Sequence, residues 1–185
     1  IKMPNHVTSN IIAISTYEDA SKIMTKNFNG QEFSSGSKKI VVQKVNIWHK
    51  NASMVIALDI VGSVNGTIYL SGIPKYDEQK REIYFEQLEY VLDTKNKLIS
   101  TANWLAKGLI LKRIQESCRY SIQPNIDEGT QTILSYLNNY SPISGVFVNG
   151  KIDAFEFEKI QLTNNAILAF MKINGQISVS VNGLE

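Results

Sequence analysis

From Gly62 to Leu111 the sequence reads as a β-hairpin, a further strand and then one long helix that is apolar on two sides. The strands are in GSVNGTIYLSGIPKYD and REIYFEQLEYVLDT, and the helix runs through KNKLISTANWLAKGLILKRIQ, from about Lys97 to about Tyr120. Leu98, Ala102, Leu105 and Leu109 form one stripe at helical spacing, widened by Ile99, Ala106 and Ile110. Trp104, Leu111, Ile114 and Cys118 form a second stripe, and Gly108 sits where the faces change over. A surface helix needs one apolar stripe. A helix with two must be covered on both sides, or must line a space that something apolar occupies.

The rest of the chain supplies the cover. Val7 to Ile14 reads as a short strand, followed by a helix with Thr16 as N-cap and Asp19 as its capping-box acid. Ala20, Ile23, Met24 and Phe28 share one face of that helix, and Gly30 ends it. Gln31 to Ser37 is expected to be a loop. In Lys39 to Trp48, Val41, Val45 and Ile47 alternate with Val42, Lys44 and Asn46. Met54, Ile56, Leu58 and Ile60 then share one face of the next strand, and Asn65-Gly66 is a hairpin signal. From Ile83 to Leu92 the apolar phase shifts, which predicts a β-bulge near Glu86-Gln87. A further helix is expected from Pro124, with Asn125 as N-cap and Glu128 as its partner. Three strands close the chain, over about Val146 to Leu162, Ala166 to Ile173 and Gln176 to Val181, turning at Asn164-Asn165 and Asn174-Gly175. Strand–helix–strand alternation does not repeat, so a parallel sheet is not expected. Hairpin-linked strands with helices on one face make an α+β fold, and 185 residues fit a single domain spanning 1–185.

Composition narrows the function by exclusion. The net charge is +2, and no basic run is longer than Lys38-Lys39 or Lys112-Arg113, so no nucleic-acid partner is expected. No stretch approaches the roughly 20 apolar residues of a transmembrane helix. The start, IKMPNHVTSN, carries no signal-peptide pattern and no initiator Met, so the chain reads as a fragment or a processed form. The single cysteine, Cys118, allows no internal disulfide.

Chemistry-bearing constellations are missing. His6 and His49 stand apart, outside any ligand-spaced motif, and read as surface residues. Cys118 lies on an apolar stripe and reads as a buried, inert thiol. Asp153, Glu156 and Glu158 read as a solvated sheet face. Asn51-Ala52-Ser53 and Asn65-Gly66-Thr67 match the glycosylation sequon, but turn formation accounts for both asparagines. No catalysis, metal or cofactor is therefore expected. Trp48 and Trp104 remain, as core plugs or as residues at the mouth of an apolar cavity.

The segments GTIYLSGIPKYD and LEYVLDTKNKLISTANWL, with NIIAISTYEDASKIMTKNFNG and KKIVVQKVNIWHKNASMVIALDIVGSVNG before them, resemble the bacterial domain-of-unknown-function 4403 family. Members are much longer than this chain, so the resemblance implies one half of a member, the C-terminal half. That family in turn resembles the tubular lipid-binding superfamily, of the BPI-like and SMP-like type. The resemblance implies a long curled antiparallel sheet wrapped around a long central helix, and a lipid or other apolar ligand held against it. The implied ligand-binding residues are Leu98, Ala102, Trp104, Leu105, Leu109, Leu111 and Ile114. It also implies a periplasmic or outer-membrane-attached lipoprotein of the cell envelope. The competing expectation is a structural or protein-interaction domain with a solid core and no ligand.

Overall fold

The computed structural model describes residues 5–94, 105 and 109–182. Within them the chain is mostly β, arranged as two antiparallel sheets with short helices. The elements are β1 (His6–Thr16), α1 (Tyr17–Phe28), β2 (Glu32–Ser35), β3 (Lys38–Lys50), β4 (Ser53–Gly62), β5 (Gly66–Asp77), β6 (Glu82–Thr94) and α2 (Leu109–Ser117). They continue with β7 (Tyr120–Ser121), α3 (Gln123–Ser135), β8 (Tyr140–Ile143), β9 (Val146–Leu162) and β10 (Ala166–Val181). A six-stranded sheet has the order β2-β3-β4-β5-β6-β7, and a four-stranded sheet the order β1-β10-β9-β8.

This corrects the expected architecture. A single curled sheet around a long central helix is replaced by two separate sheets, and the tubular lipid-binding fold falls with it. The reason is visible in α2. Ile110, Leu111, Ile114 and Cys118 are buried, while Lys112, Arg113 and Glu116 are exposed. The described part of this helix thus has one buried flank and one wet one, the ordinary amphipathic pattern. The helix also stops at Ser117, before the expected end at Tyr120. Tyr120 and Ser121 leave it to pair with Ile83 and Glu82 as β7.

The six-stranded sheet holds the main core. Met54, Ile56, Leu58 and Ile60 of β4 share one face with Ile68 and Leu70 of β5, all nearly or fully buried. Leu105, Ile110 and Ile114 belong to the same apolar cluster. Each such side chain contributes roughly 1.5–3 kcal/mol on burial. Val55 and Ala57, on the opposite face of β4, are also buried. Their cross-strand neighbours Trp48 and Tyr69 meet edge-on at 6.2 Å.

Bulges keep the strands in phase with this core. In β3 the register slips between Val42 and Lys44, leaving Gln43 as the extra residue. That slip puts Ile40 and Val42 on the same buried face as Val45 and Ile47, where strict alternation places Val42 opposite. The bulge expected near Glu86-Gln87 is present: Gln87 and Leu88 together oppose Gly72, and Gln87 takes φ 53°. A Cβ on Gly72 would lie 2.8 Å from the Glu86 carbonyl oxygen, so the close approach there needs glycine.

Helix α1 closes an open sheet edge. Pairing with β2 covers β3 only as far as Val41. Beyond it the Thr25 hydroxyl accepts from Val45 N–H at 3.0 Å and donates to Val45 C=O at 2.9 Å. Ser21 Oγ accepts from Ile47 N–H at 2.8 Å. Backbone groups that an edge strand would leave unpaired therefore bond to helix side chains. The expected N-cap is formed, with Asp19 N–H donating to Thr16 Oγ1 at 3.1 Å and the Thr16 hydroxyl donating to Asp19 Oδ2 at 2.8 Å.

Three local expectations are corrected. The stretch Gln31–Ser37 contains the short strand β2 rather than only loop. Helix α3 begins at Gln123 with Ile122 at the cap and no side-chain cap bond, so position 125 lies inside the helix rather than at its N-cap. Asn174-Gly175 is no turn: β10 runs through it, and the register slip there leaves Asp153 of β9 as the extra residue. The hairpin turn at Asn164-Asn165 is where it was expected.

The two sheets meet at one end of each. The Tyr76 ring of β5 lies 4.1 Å from the Phe157 ring of β9. Ile83, Ile122, Ile126 and Met171 form a second buried cluster at this junction. The Tyr17 hydroxyl donates to Thr163 C=O at 2.9 Å, tying the start of α1 to the β9–β10 turn.

Candidate functional site

Beside that junction lies a cleft of about 300 Å³. Its walls come from both sheets and from the helices between them. β10 contributes Ile167, Ala169 and Met171, and β1 contributes Ala13, Ile14 and Ser15. Opposite them stand Ile47 of β3, Met54 of β4, and Ile83 and Phe85 of β6. Helix α1 supplies Asp19, Ala20, Ile23 and Met24, while Tyr120, Ile122 and Ile126 close the end.

The reason for the empty space is local. Ala13 and Ala169 are direct cross-strand partners on the inner face of the four-stranded sheet. Two methyl groups there leave a gap that neighbouring isoleucines cannot fill without leaving their own packing. Ala20 on α1 adds a third small side chain to the wall. Three of the chain's four methionines, Met24, Met54 and Met171, complete it. Methionine is unbranched and flexible, so these walls can reshape around an occupant.

Exposure separates mouth from floor. Met24 and Met54 are 3% and 2% exposed and form the floor with Ile83, Ile122 and Ile126. Ile14 is 68% exposed, and the Asp19 side chain 62%, so they mark the mouth, with Ile23 beside them. Among the described lining residues Asp19 and Tyr120 are the ionisable side chains, and none is Lys, Arg or His. Burial pushes the Tyr120 phenol above its ordinary range, which keeps it neutral. Lys22 lies 2.7 Å from Glu18 and 3.9 Å from Asp19, so its ammonium is held mainly by Glu18.

Of the residues expected to bind a ligand, the structure describes the side chains of Leu105, Leu111 and Ile114. Leu105, Leu111 and Ile114 are buried in the main core cluster and do not line the cleft. Leu109 opens α2. Leu98, Ala102 and Trp104 fall outside the described residues. The cleft residues that the sequence pattern did single out, among them Ala20, Ile23 and Met24 of α1, Ile47 of β3 and Met54 of β4, read there as ordinary core-facing positions. The missing signal was the alanine pair, which only the β1–β10 register brings together.

Other polar groups are engaged structurally. Arg119 lies 2.8 Å from Glu82 and 3.7 Å from Asp77, with its guanidinium 5.3 Å from the Tyr84 ring centre. The Lys80 backbone N–H, foremost, holds the Asp77 carboxyl below its ordinary range, with Arg119 adding to the effect. This clip fastens β7 to the β5–β6 hairpin. Asp153 pairs with Lys151 at 3.1 Å and Glu158 with Lys172 at 3.4 Å, as expected of a solvated sheet face. His49 stacks on Tyr17 at 5.6 Å. Burial pushes the Cys118 thiol up to about 12, the signature of an inert cysteine. Among the described residues no three His, Cys, Asp or Glu side chains converge as a metal site. No described helix is long and apolar enough to cross a membrane.

Sequence comparison places this fold in a family. The profile of the domain of unknown function DUF4403 matches residues 1–181. The chain belongs to the DUF4403 family. No curated protein matches it in sequence. The family description carries no activity, so any function for this DUF4403 chain must be argued from the cleft itself.

Proposed function

We propose that this chain is a hydrophobic-ligand-binding module of the bacterial cell envelope, without catalysis, and that the cleft between the two sheets is its site. The observation that supports this is the cleft's composition: a floor of buried apolar side chains and a lining with few polar groups. Ligand sites are typically concave, mostly apolar and sparsely polar, with volumes from roughly 300 Å³ upward. Apolar cavities stay dry and accept apolar guests. The reading does not depend on a wrapped helix.

The test is titration of the purified chain with a fluorescent alkyl probe, repeated with Ala169→Phe. A phenyl group at that position projects into the gap left by Ala13 and Ala169. Wild type should bind saturably, and the variant should lose at least tenfold in affinity while melting at an unchanged or higher temperature. Mass spectrometry of freshly purified, denatured protein should release an apolar compound. No saturable binding, or equal binding by a folded Ala169→Phe variant, overturns the proposal.

A second reading, a protein-interaction domain, has its own observation. At the end of the four-stranded sheet remote from the cleft, Ile143, Val179 and Val181 are all more than half exposed. Tyr136 and Tyr140 stack edge-on at 5.3 Å beside them. Scattered exposed apolar side chains are ordinary, whereas a contiguous patch marks a contact surface. Loss of partner capture in a Val179→Lys, Val181→Lys variant that still binds the alkyl probe would favour this reading.

A further inference from the structure

Resting on the cleft as a ligand site, we infer that its occupant is a single alkyl chain of about twelve carbons carrying an uncharged or cationic head group, and neither a fatty acid nor a two-chain lipid. The length follows from volume. A dry cavity of roughly 150 Å³ accommodates one benzene, six carbons. The 300 Å³ here therefore holds about twice that number. A phospholipid with two long chains brings more carbons than the space can take, with Tyr120, Ile122 and Ile126 lining one end of it.

The head group follows from charge at the mouth. An alkyl chain lying on the floor formed by Met24 and Met54 brings its polar end out between Ile14 and Ile23, beside Asp19. The Asp19 carboxylate is fixed in place, because its Oδ2 accepts from the Thr16 hydroxyl at 2.8 Å. Glu18, Asp19 and Lys22 together leave one net negative charge on this turn of α1, and the ammonium sits closer to Glu18. A fatty-acid carboxylate would meet Asp19 with no Lys, Arg or His among the described lining residues to offset it. An ammonium would gain the opposite interaction. A glycerol or alcohol head could donate hydrogen bonds to the carboxylate or to Ser15.

Four probes, each kept below its aggregation concentration, separate these outcomes by displacement of the fluorescent alkyl probe at low ionic strength: dodecylamine, 1-monolauroylglycerol, dodecanoate and dilauroyl phosphatidylcholine. Dodecylamine and 1-monolauroylglycerol should displace it at least tenfold more effectively than dodecanoate, and the two-chain lipid should not displace it. Asp19→Asn, which keeps an acceptor for Thr16, should cut the preference for dodecylamine over dodecanoate to less than threefold. In 1 M salt, where screening acts over roughly 3 Å, the wild-type preference should shrink in the same direction. Dodecanoate binding as tightly as the other single-chain probes, displacement by the two-chain lipid, or a preference indifferent to both salt and Asp19→Asn overturns the inference and leaves a hydrophobic site standing. Failure of all four probes, together with no saturable alkyl-probe binding, overturns the site itself.

Discussion

The two sheets solve the same problem differently. On the six-stranded sheet, Ile40, Val42, Val45, Ile56, Leu58, Ile68 and Leu70 reach complete burial under a close-packed cluster. On the four-stranded sheet, Ile167, Ala169, Met171 and Ile173 are buried less completely, and Ala13 faces Ala169 across the strand pair. The first face is built from branched side chains that interlock. The second carries small and flexible ones that leave a void. The contrast teaches that the void opens where the four-stranded sheet supplies small side chains, while the six-stranded sheet carries the dense cluster.

The largest expected effect lies in the packed region. Leu105 is 2% exposed within the main cluster, so Leu105→Asp places a charge there without a partner. Such a charge costs roughly 3–5 kcal/mol, to which the lost leucine burial adds about 2 kcal/mol. The sum is comparable to the whole stability of an ordinary domain. The variant should be largely unfolded by circular dichroism at 25 °C. A cooperatively folded Leu105→Asp protein would mean that this region is not the packed one.

A pair of truncations sharpens the contrast. Ile56→Ala removes a fully buried side chain from the dense face and should cost about 4 kcal/mol in urea unfolding. Met171→Ala removes a cleft wall that already borders empty space, and should cost about 2 kcal/mol or less. Equal losses would show that the cleft wall packs as tightly as the core.

What the sequence disclosed and what it hid follow the same division between local and distant partners. The Thr16–Asp19 cap and the Asn164-Asn165 turn depend on neighbouring residues, and their residue types name them. The bulge at Gln87 was legible because it shifts the apolar phase within one strand. The slip at Gln43 was not, since Val41 and Val42 are interchangeable in a hydrophobic pattern and only pairing with β4 distinguishes them. The same limit misled the long helix. Ile110, Leu111, Ile114 and Cys118 make one ordinary stripe, and Tyr120 joins β6 because of a partner far back in the chain. The split into two sheets depends on β1 pairing with β10, from opposite ends of the sequence. The cleft inherits that dependence, because no local pattern sets Ala13 against Ala169.

The smallest expected effect concerns how dry the packed cluster is. Cys118 is 1% exposed at the end of α2, and burial raises its thiol from an ordinary 9.0 to about 12. Between those values the unfolded chain has released the thiol proton and the folded chain has kept it. The folded state then binds more protons, so its stability falls as pH rises, by about 1.4 kcal/mol per pH unit from this one group. Below pH 9 both states are protonated and the contribution is constant. Tyr17, Tyr76 and Tyr120 are also raised by burial, and they add a loss of the same sign at higher pH. Cys118→Ala keeps those tyrosines and removes only the thiol. Urea unfolding between pH 8 and pH 10 should therefore show a steeper decline for wild type than for Cys118→Ala. Native wild type should also resist a thiol reagent at pH 8 until urea unfolds it. Parallel pH profiles, or rapid labelling of the native protein, would show that water reaches the cluster beneath α2 and that the six-stranded sheet is not the drier of the two.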